Sequence, residues 1–503
     1  MVSKYLFYVE KLLRKADAWF LISVLFIFSL LRIPSLVEPD WYGDEGIYQV
    51  IGAALHSGRI LYKDIWDNKP PFLYIIYQIF NGDLFSVRLA SLVVGAASVV
   101  AFFFLSKKLL KTNRSIYIAT GFYSVLFGLP FLEGNIANAE NFMLLPIILA
   151  FYFMLSVKEK KWARNCSLAG LMLSAAFLTK IVAVFDFAAL FVSVIMLKMY
   201  EGVFRRGSIV ILKKFGGKKL VMILREEAVM IISFLIPIII TGVYFFAVGA
   251  FSDFFKASFS QNVGYVGYGN NVLFPMGLLF IKLIFLIFAL LIVFRYRNII
   301  GKNGVVIIIW LSFSLFNAFF SQRPYTHYVL VILPSFSLFV GYLIENRKLL
   351  RVNLILCAVL LFLIFRNFNL YEKIPAYYKN YTSFVFGNRS IDAYQSFFDK
   401  STPRDYAIAR FIQAKTTVGE GVFIWGDSGQ IYILSGKLPP GRYIVSYHMT
   451  FYKDAIDETR QDIEKQRPKY IIQTKKDPAL SPLLSYYTLK YKIGDVNIYE
   501  RQL

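Results

Sequence analysis

The sequence predicts a polytopic α-helical membrane protein carrying a small α/β domain at its C-terminal end. Three observations point there. Hydrophobic residues make up 57% of the 503 residues and charged residues only 17%, against roughly 45–50% and about 25% in ordinary soluble domains. The apolar residues are gathered into long runs. Basic residues, which outnumber acidic ones by 55 to 32, sit in short clusters between those runs. This composition excludes a soluble globular enzyme, a disordered chain and a fibrous protein, because so much apolar surface could not be covered in water. A nucleic-acid partner would require one basic face or arm, whereas clusters between apolar runs suit an anionic bilayer surface. Two cysteines provide neither a disulfide framework nor a multi-cysteine metal site.

About 20 apolar residues cross a bilayer as a helix. Spans are predicted near 19–37, 84–105, 115–133, 139–156, 166–180, 182–198, 228–249, 272–294, 304–320, 327–344 and 352–369, eleven in all. The run from 166 to 198 is too long for one crossing and divides at Thr179–Lys180. The first run is too long for the apolar region of a signal peptide and is followed by no small-residue cleavage site. With the N-terminus in the cytoplasm, every inner loop is basic, including Lys107, Lys108, Lys111 and Arg114, or Lys158, Lys160, Lys161 and Arg164. The outer loops are nearly free of Lys and Arg, as the positive-inside rule requires. An odd number of spans places the C-terminal domain outside. The loop at 199–227 reads as an amphipathic stretch on the inner surface.

Residues 1–370 therefore form the membrane domain, 371–400 an aromatic linker, and 401–503 the α/β domain. In the last, Thr402–Pro403 opens a helix, and Asp454 to Gln466 reads as a surface helix. Val422 to Trp425, Tyr443 to Ser446, Tyr470 to Gln473 and Asn497 to Tyr499 read as strands.

The chemistry is expected in the first outer loop, 38–83, where seven acids face three bases in an otherwise basic chain. Ile47, Val50, Ile51, Ala54 and Leu55 share one helical face, and Asn68–Lys69–Pro70–Pro71 opens a second helix. Both helices are expected to lie flat on the outer leaflet, holding Asp44 and Glu45 at the membrane boundary. Asp44 suits a general base taking a proton from an attacking hydroxyl. Its plainer role is to cap a helix beginning at Glu45, and the two are compatible. Charge near hydrocarbon is costly and usually functional. Glu140 opens the fourth span, Lys180 ends the fifth, and Arg323, Tyr325, His327 and Tyr328 fill the loop before the tenth. Lys69, Lys180, Arg323 and His327 together suit a phosphate or diphosphate. Lys180 can equally snorkel, and His327 can make a structural hydrogen bond. Cys166 and Cys357 read as ordinary span residues, and Asp186 within the sixth span has no evident partner.

Asp44–Glu45–Gly46–Ile47–Tyr48, His56–Ser57–Gly58 and Asp67–Asn68–Lys69–Pro70–Pro71 resemble the first outer loop of GT-C glycosyltransferases. The branch most similar holds bacterial protein mannosyltransferase-like enzymes and lipid A aminoarabinose transferases. Ala137 to Phe142, Leu178–Thr179–Lys180 and His327 to Leu330 fall where that group has polar landmarks. The resemblance spans about residues 15–350. It implies transfer of a sugar from a polyprenyl-phosphate donor to an acceptor on the outer face, usually with inversion. It implies Asp44 as base or acceptor-orienting carboxylate, Glu45 as its neighbour in an acidic pair, and Glu140 as a second acidic landmark. Lys69 and Lys180, with Arg323, His327 and Tyr328 as further candidates, would hold the donor phosphate. The resemblance leaves a divalent cation open, since some members use one, and it leaves open whether the acceptor is a lipid, a glycan or a protein. The β-trefoil insert of eukaryotic protein mannosyltransferases has no room here. The alternative is a transporter or flippase of a lipid-linked sugar. That would place charge near the bilayer midplane, whereas the polar residues here gather at one face.

Overall fold

A computed structural model describes residues 16–157, 159–203, 217–272 and 274–502. The N-terminal part is almost entirely helical. Helices Ala16–Arg32, Leu84–Leu109, Asn113–Gly128, Ala139–Met154 and Trp162–Thr179 follow one another, interrupted by the first loop. Their starts obey local rules. Asp83 caps the second, its carboxylate accepting from Ser86 N at 2.8 Å, and the Thr112 hydroxyl caps the third, accepting from Ser115 N at 3.2 Å, which satisfies orphan helix donors. The expected division at Lys180 is present. Trp162–Thr179 ends there because Lys180 is extended (φ −154°, ψ 126°), and one 3-10 turn leads into Val184–Val203.

Helices Gly217–Ala247, Gly277–Phe319, Leu333–Glu345 and Arg347–Asn367 complete this part. The 43-residue run Gly277–Phe319 contains Gly301 at φ 76°, ψ 162°. Such a backbone breaks a helix and suits glycine. An unbroken helix of that length would be roughly 65 Å long, twice the hydrocarbon thickness, so the break separates two segments, as the sequence predicts. Among the described residues, five stretches are long and apolar enough to cross a membrane: Ala16–Val37, Leu84–Leu109, Ile181–Lys198, Leu224–Ala247 and Gly277–Phe319. Ala139–Met154, Leu333–Glu345 and Cys357–Asn367 are shorter apolar helices. The chain is a multi-pass membrane protein. Residues 204–216, in the predicted inner-surface stretch, lie outside the described residues. Asp186 now has its partner, since Trp310 Nε1 donates to Asp186 Oδ1 at 2.8 Å. The Trp310 ring stacks on Phe151 at 3.9 Å.

The first loop folds into helices Gly43–His56 and Pro71–Ile79, both foreseen, but their setting differs from expectation. Ile47, Val50 and Ile51 are buried against Ile424, Ile431 and Ile444 of the C-terminal unit. The apolar face thus packs on protein rather than on the outer leaflet. Two glycines allow close contacts, Gly46 with the C-terminal unit and Gly52 between the loop's own two helices. A Cβ at Gly46 would lie 2.8 Å from Gln430 N, and one at Gly52 2.6 Å from the Tyr77 carbonyl carbon.

The 371–400 stretch is two short helices, Ile374–Val385 and Ile391–Phe398, strapped to the residues that lead into the first loop. Tyr378 donates to the Leu31 carbonyl at 3.0 Å and Tyr394 to that of Val37 at 3.2 Å. Helix Thr402–Lys415 and strands β1 (Val422–Trp425), β2 (Tyr470–Gln473), β3 (Tyr487–Ile493) and β4 (Val496–Arg501) follow. The sheet order is β1-β2-β4-β3. β1 pairs parallel with β2, and β4 pairs antiparallel with both β2 and β3. Two strand expectations need correction. Tyr443 to Ser446 is no strand: it is a buried connector leading into helix Ser446–Phe451, its apolar residues filling the core shared with the first loop. β3 was not expected. It is an edge strand exposed along most of its length, so Thr488, Lys490 and Lys492 give it no buried periodicity to read.

Gly46→Val should destabilise the detergent-solubilised chain by about 1–3 kcal/mol, the usual penalty of overpacking. Thermal denaturation checks this, and an unchanged midpoint would mean that the loop does not rest on Gln430.

Candidate active site

The site begins with a turn of helix. Gly43–His56 starts at Gly43, and its N-cap, Tyr42, makes no side-chain cap bond. Asp44 is therefore the second helical residue and not the expected cap, and its side chain is 35% exposed at the helix N-terminus, where the macrodipole favours an anion. Tyr48, one turn on, donates its hydroxyl to Asp44 Oδ2 at 2.9 Å. Lys69 Nζ stands 3.7 Å from the same oxygen and 3.8 Å from Asp67 Oδ2, over the Tyr48 ring at 4.8 Å. Burial pushes the Asp44 carboxyl up, but Lys69, then His327, outweigh it and hold it below the usual carboxylate range. Asp44 is thus ionised near neutral pH and able to take a proton.

Lys69 is held by its own surroundings. Tyr62 donates to the Lys69 carbonyl at 2.6 Å and Tyr74 to Asp67 Oδ2 at 2.6 Å. Asp67 is buried, which raises its pKa, but Lys69, His448 and Tyr74 overcome this and hold the carboxyl well below the ordinary range. His448, from helix Ser446–Phe451, brings Nε2 to 3.4 Å from Asp67 Oδ1.

A second group of charges meets this one. Lys180 pairs with Glu140 and lies 4.5 Å above the Tyr328 ring, a cation–π contact. His327 Nε2 is 3.9 Å from Glu140 Oε1, and its Nδ1 is 3.0 Å from Glu133 Oε2. Tyr42 donates to the same Glu133 oxygen at 2.8 Å. His327 also acts on Asp44, and both Lys69 and Asp44 act on Lys180. Asp44, Lys69, Glu140, Lys180, His327 and Tyr328, scattered over nearly 300 residues of sequence, are thus brought together. Tyr42, Asp44, Glu133, Tyr325 and Thr326 are among the residues lining an adjoining cavity of about 350 Å³. Arg323 is not among the residues that line it.

Glu45 departs from the sequence expectation. It is buried, and Arg88 grips it with Nε on Oε1 at 3.2 Å and Nη2 on Oε2 at 2.7 Å. The Ala137 amide also donates to Oε1 at 2.8 Å. Arg88 Nη1 reaches the carbonyls of Ser35 and Glu38 at 3.1 and 2.7 Å. With both oxygens committed, Glu45 is a structural anchor rather than a second acid beside Asp44. Glu38 is likewise enclosed: Trp41 and Asn135 donate to it at 3.1 and 2.9 Å, and Tyr377 donates as well.

Glu133 and His448 were not anticipated. Glu133 closes an apolar run and adopts a left-handed backbone, φ 56°, a costly conformation for a non-glycine residue that tends to occur at functional sites. A carboxylate at a span end just before Gly134 was the available signal. His448 carries no local signal, because only the tertiary fold brings it to Asp67. As for a cation, Asp44 and Glu140 each face a lysine ammonium, a donor set suited to anions. Among the described residues no group of three or more His, Cys, Asp or Glu is arranged to hold a metal ion.

One buried acid gives a pH signature. Gln49 donates to Asp40 Oδ1 at 2.5 Å, yet burial pushes the Asp40 carboxyl up to about 6. Between about pH 4 and 6 the folded chain keeps a proton that the unfolded chain has released, so stability falls as pH rises through that window. Asp40→Asn removes this titration. Its stability relative to the parent should rise from pH 4 to 6 and level off above, as measured by thermal denaturation in detergent. A pH-independent difference would contradict the assignment.

Residues 69–213 match the family described as Dolichyl-phosphate-mannose-protein mannosyltransferase, a segment that holds Lys69, Glu140 and Lys180 but not Asp44. A search of curated proteins finds no match. Among solved structures, the crystal structure of ArnT from Cupriavidus metallidurans bound to undecaprenyl phosphate shares the fold. It has a TM-score of 0.52 and 14% identity, over 96% of this chain and 98% of that one. The oligosaccharyltransferase AglB from Archaeoglobus fulgidus, in complex with an inhibitory peptide and a dolichol-phosphate, aligns at a TM-score of 0.45 and 11% identity, over 91% of this chain and 69% of that one, too weakly to carry an argument. The matched segment and the shared fold are consistent with the GT-C superfamily of glycosyltransferases.

Proposed function

We propose that this chain is a membrane glycosyltransferase that moves a sugar from a polyprenyl-phosphate donor to an acceptor hydroxyl on the extracytoplasmic face. The observation that carries this reading is the Asp44–Lys69 pair, 3.7 Å apart, at the mouth of a polar cavity and beside Lys180, Glu140 and His327. The acceptor hydroxyl attacks the anomeric carbon and its proton passes to Asp44. The bond from that carbon to the phosphate oxygen breaks on the opposite face, with inversion. The phosphate leaves on its lipid, and Lys69 and Lys180 neutralise the charge that develops there. His327 holds Glu140 and Glu133 in place around Lys180, and Tyr328 supports the lysine through its ring. Glu45 serves by fixing the backbone that presents Asp44. The fold shared with a protein crystallised on undecaprenyl phosphate supports a lipid-phosphate donor, and a lipid leaving group accounts for chemistry at the edge of a membrane fold.

The same reading assigns eleven spans, a cytoplasmic N-terminus and an extracytoplasmic C-terminal unit. The contact of His448 with Asp67 supports only the placing of the C-terminal unit in the same compartment as the first loop.

Purified protein given a polyprenyl-phosphate sugar and an acceptor should release polyprenyl phosphate. Asp44→Asn should lower kcat by at least 100-fold, the scale of general-base catalysis, with little change in melting temperature; full turnover in that variant would reject the base assignment. A compartment-sensitive reporter at residue 450 should report the extracytoplasmic side, and a cytoplasmic signal would overturn the span count.

A further inference from the structure

The reaction outlined above leaves one wall of the site without a task. The turn after β1 and the helix Ser446–Phe451 stand directly beside the N-terminal turn that carries Asp44. A Cβ at Gly43 would be 3.9 Å from the Asp427 carbonyl oxygen, and Gly46 meets Gln430 more closely still. The turn and the helix are tied to each other: Ser446 N donates to the Gly426 carbonyl at 2.8 Å, and the Ser446 hydroxyl donates to Asp427 Oδ1 at 2.7 Å. Lys475 Nζ lies 3.2 Å from Asp427 Oδ2, and both side chains are about half exposed. Tyr447 remains 41% exposed, its ring packed edge-on against His448 at 4.4 Å, which in turn meets Asp67.

We propose that Tyr447, Asp427 and Lys475 form an acceptor subsite for a pyranose ring, with Ser446 holding Asp427 in place. This rests on the glycosyltransferase reading and names its acceptor class: a glycan, not a peptide. A sugar presents an apolar face of C–H groups and a rim of hydroxyls. A tyrosine offers an apolar ring with a polar tip. An exposed carboxylate–ammonium pair offers an acceptor for hydroxyl protons and donors for hydroxyl oxygens, and loses little when a ligand inserts, because exposed ion pairs are weak. A peptide docking by strand addition would instead call for an open strand edge. β1, the strand that leads into this wall, is buried along its whole length.

The test is binding without turnover. Methyl α- and β-hexopyranosides are titrated onto the full chain in detergent and followed by saturation-transfer NMR, with a serine- and threonine-containing peptide as the second arm. The expected result is pyranoside binding that weakens about tenfold in Tyr447→Ala, is retained in Tyr447→Trp, and weakens severalfold in Asp427→Asn. Asp427→Asn is the safeguard should Tyr447→Ala fold poorly, because that side chain is half exposed. Equal pyranoside affinity in all variants, no pyranoside binding at all, or Tyr447-dependent binding of the peptide alone would each overturn the proposal. Because no turnover is involved, such a failure leaves the Asp44 assignment standing, and an active Asp44→Asn would remove that assignment without touching this one.

Discussion

The pairing of Glu45 with Arg88 is the contact on which the rest of the site depends. Two charges taken fully out of water carry a desolvation penalty of several kcal/mol per ion. Here the geometry offsets it: two bonds join guanidinium to carboxylate, the Ala137 amide donates to Glu45, and the Ser35 and Glu38 carbonyls accept from Arg88. Four stretches of chain, at 35–38, 45, 88 and 137, are thereby fixed around one buried pair. The helix that starts at Gly43 cannot rotate without breaking it, so Asp44, one residue and about 100° away along the helix, is held to the cavity. The acidic dipeptide divides its labour, one carboxylate bound inward and the other presented outward.

Beyond that anchor, the site is an alternation of opposite charges. Asp67, Lys69 and Asp44 form one row; Glu133, His327, Glu140 and Lys180 form another. Each lysine has a carboxylate partner that holds its ammonium group in place. In the proposed reaction a phosphate between the rows would meet preorganised ammonium groups in a partly dry setting, where charge–charge energies exceed their values in water.

Much of this was legible in the sequence, for physical reasons. Apolar length reveals the five stretches long enough to cross a membrane, because hydrocarbon tolerates little else. Pro71 and Pro403 mark helix starts through local chemistry. Asp44, Lys69, Glu140, Lys180 and His327 stand out because charge beside hydrocarbon is rare. What stayed hidden depends on tertiary structure. The burial of Glu45 is invisible until Arg88 is placed. The apolar stripe at Ile47, Val50 and Ile51 signals that a face is covered but not by what, and lipid and a β-sheet leave the same pattern. β3 lacks a buried face, and the buried connector at Tyr443 to Ser446 imitates a strand. His448 reaches Asp67 across 381 positions of sequence, a distance no local pattern spans.

Lys69 and Lys180 are proposed to act on one phosphate, although Lys69 precedes helix Pro71–Ile79 and Lys180 follows helix Trp162–Thr179. The direct measurement is a double-mutant cycle on the Kd for polyprenyl phosphate, with Lys69→Met, Lys180→Met and the double variant. A shared phosphate site gives a loss of about tenfold or more in each single variant, and a double variant whose loss departs from the sum by at least about 0.5 kcal/mol, as residues sharing a ligand do. Unchanged affinity in either single variant, or strictly additive losses, would contradict a shared phosphate site.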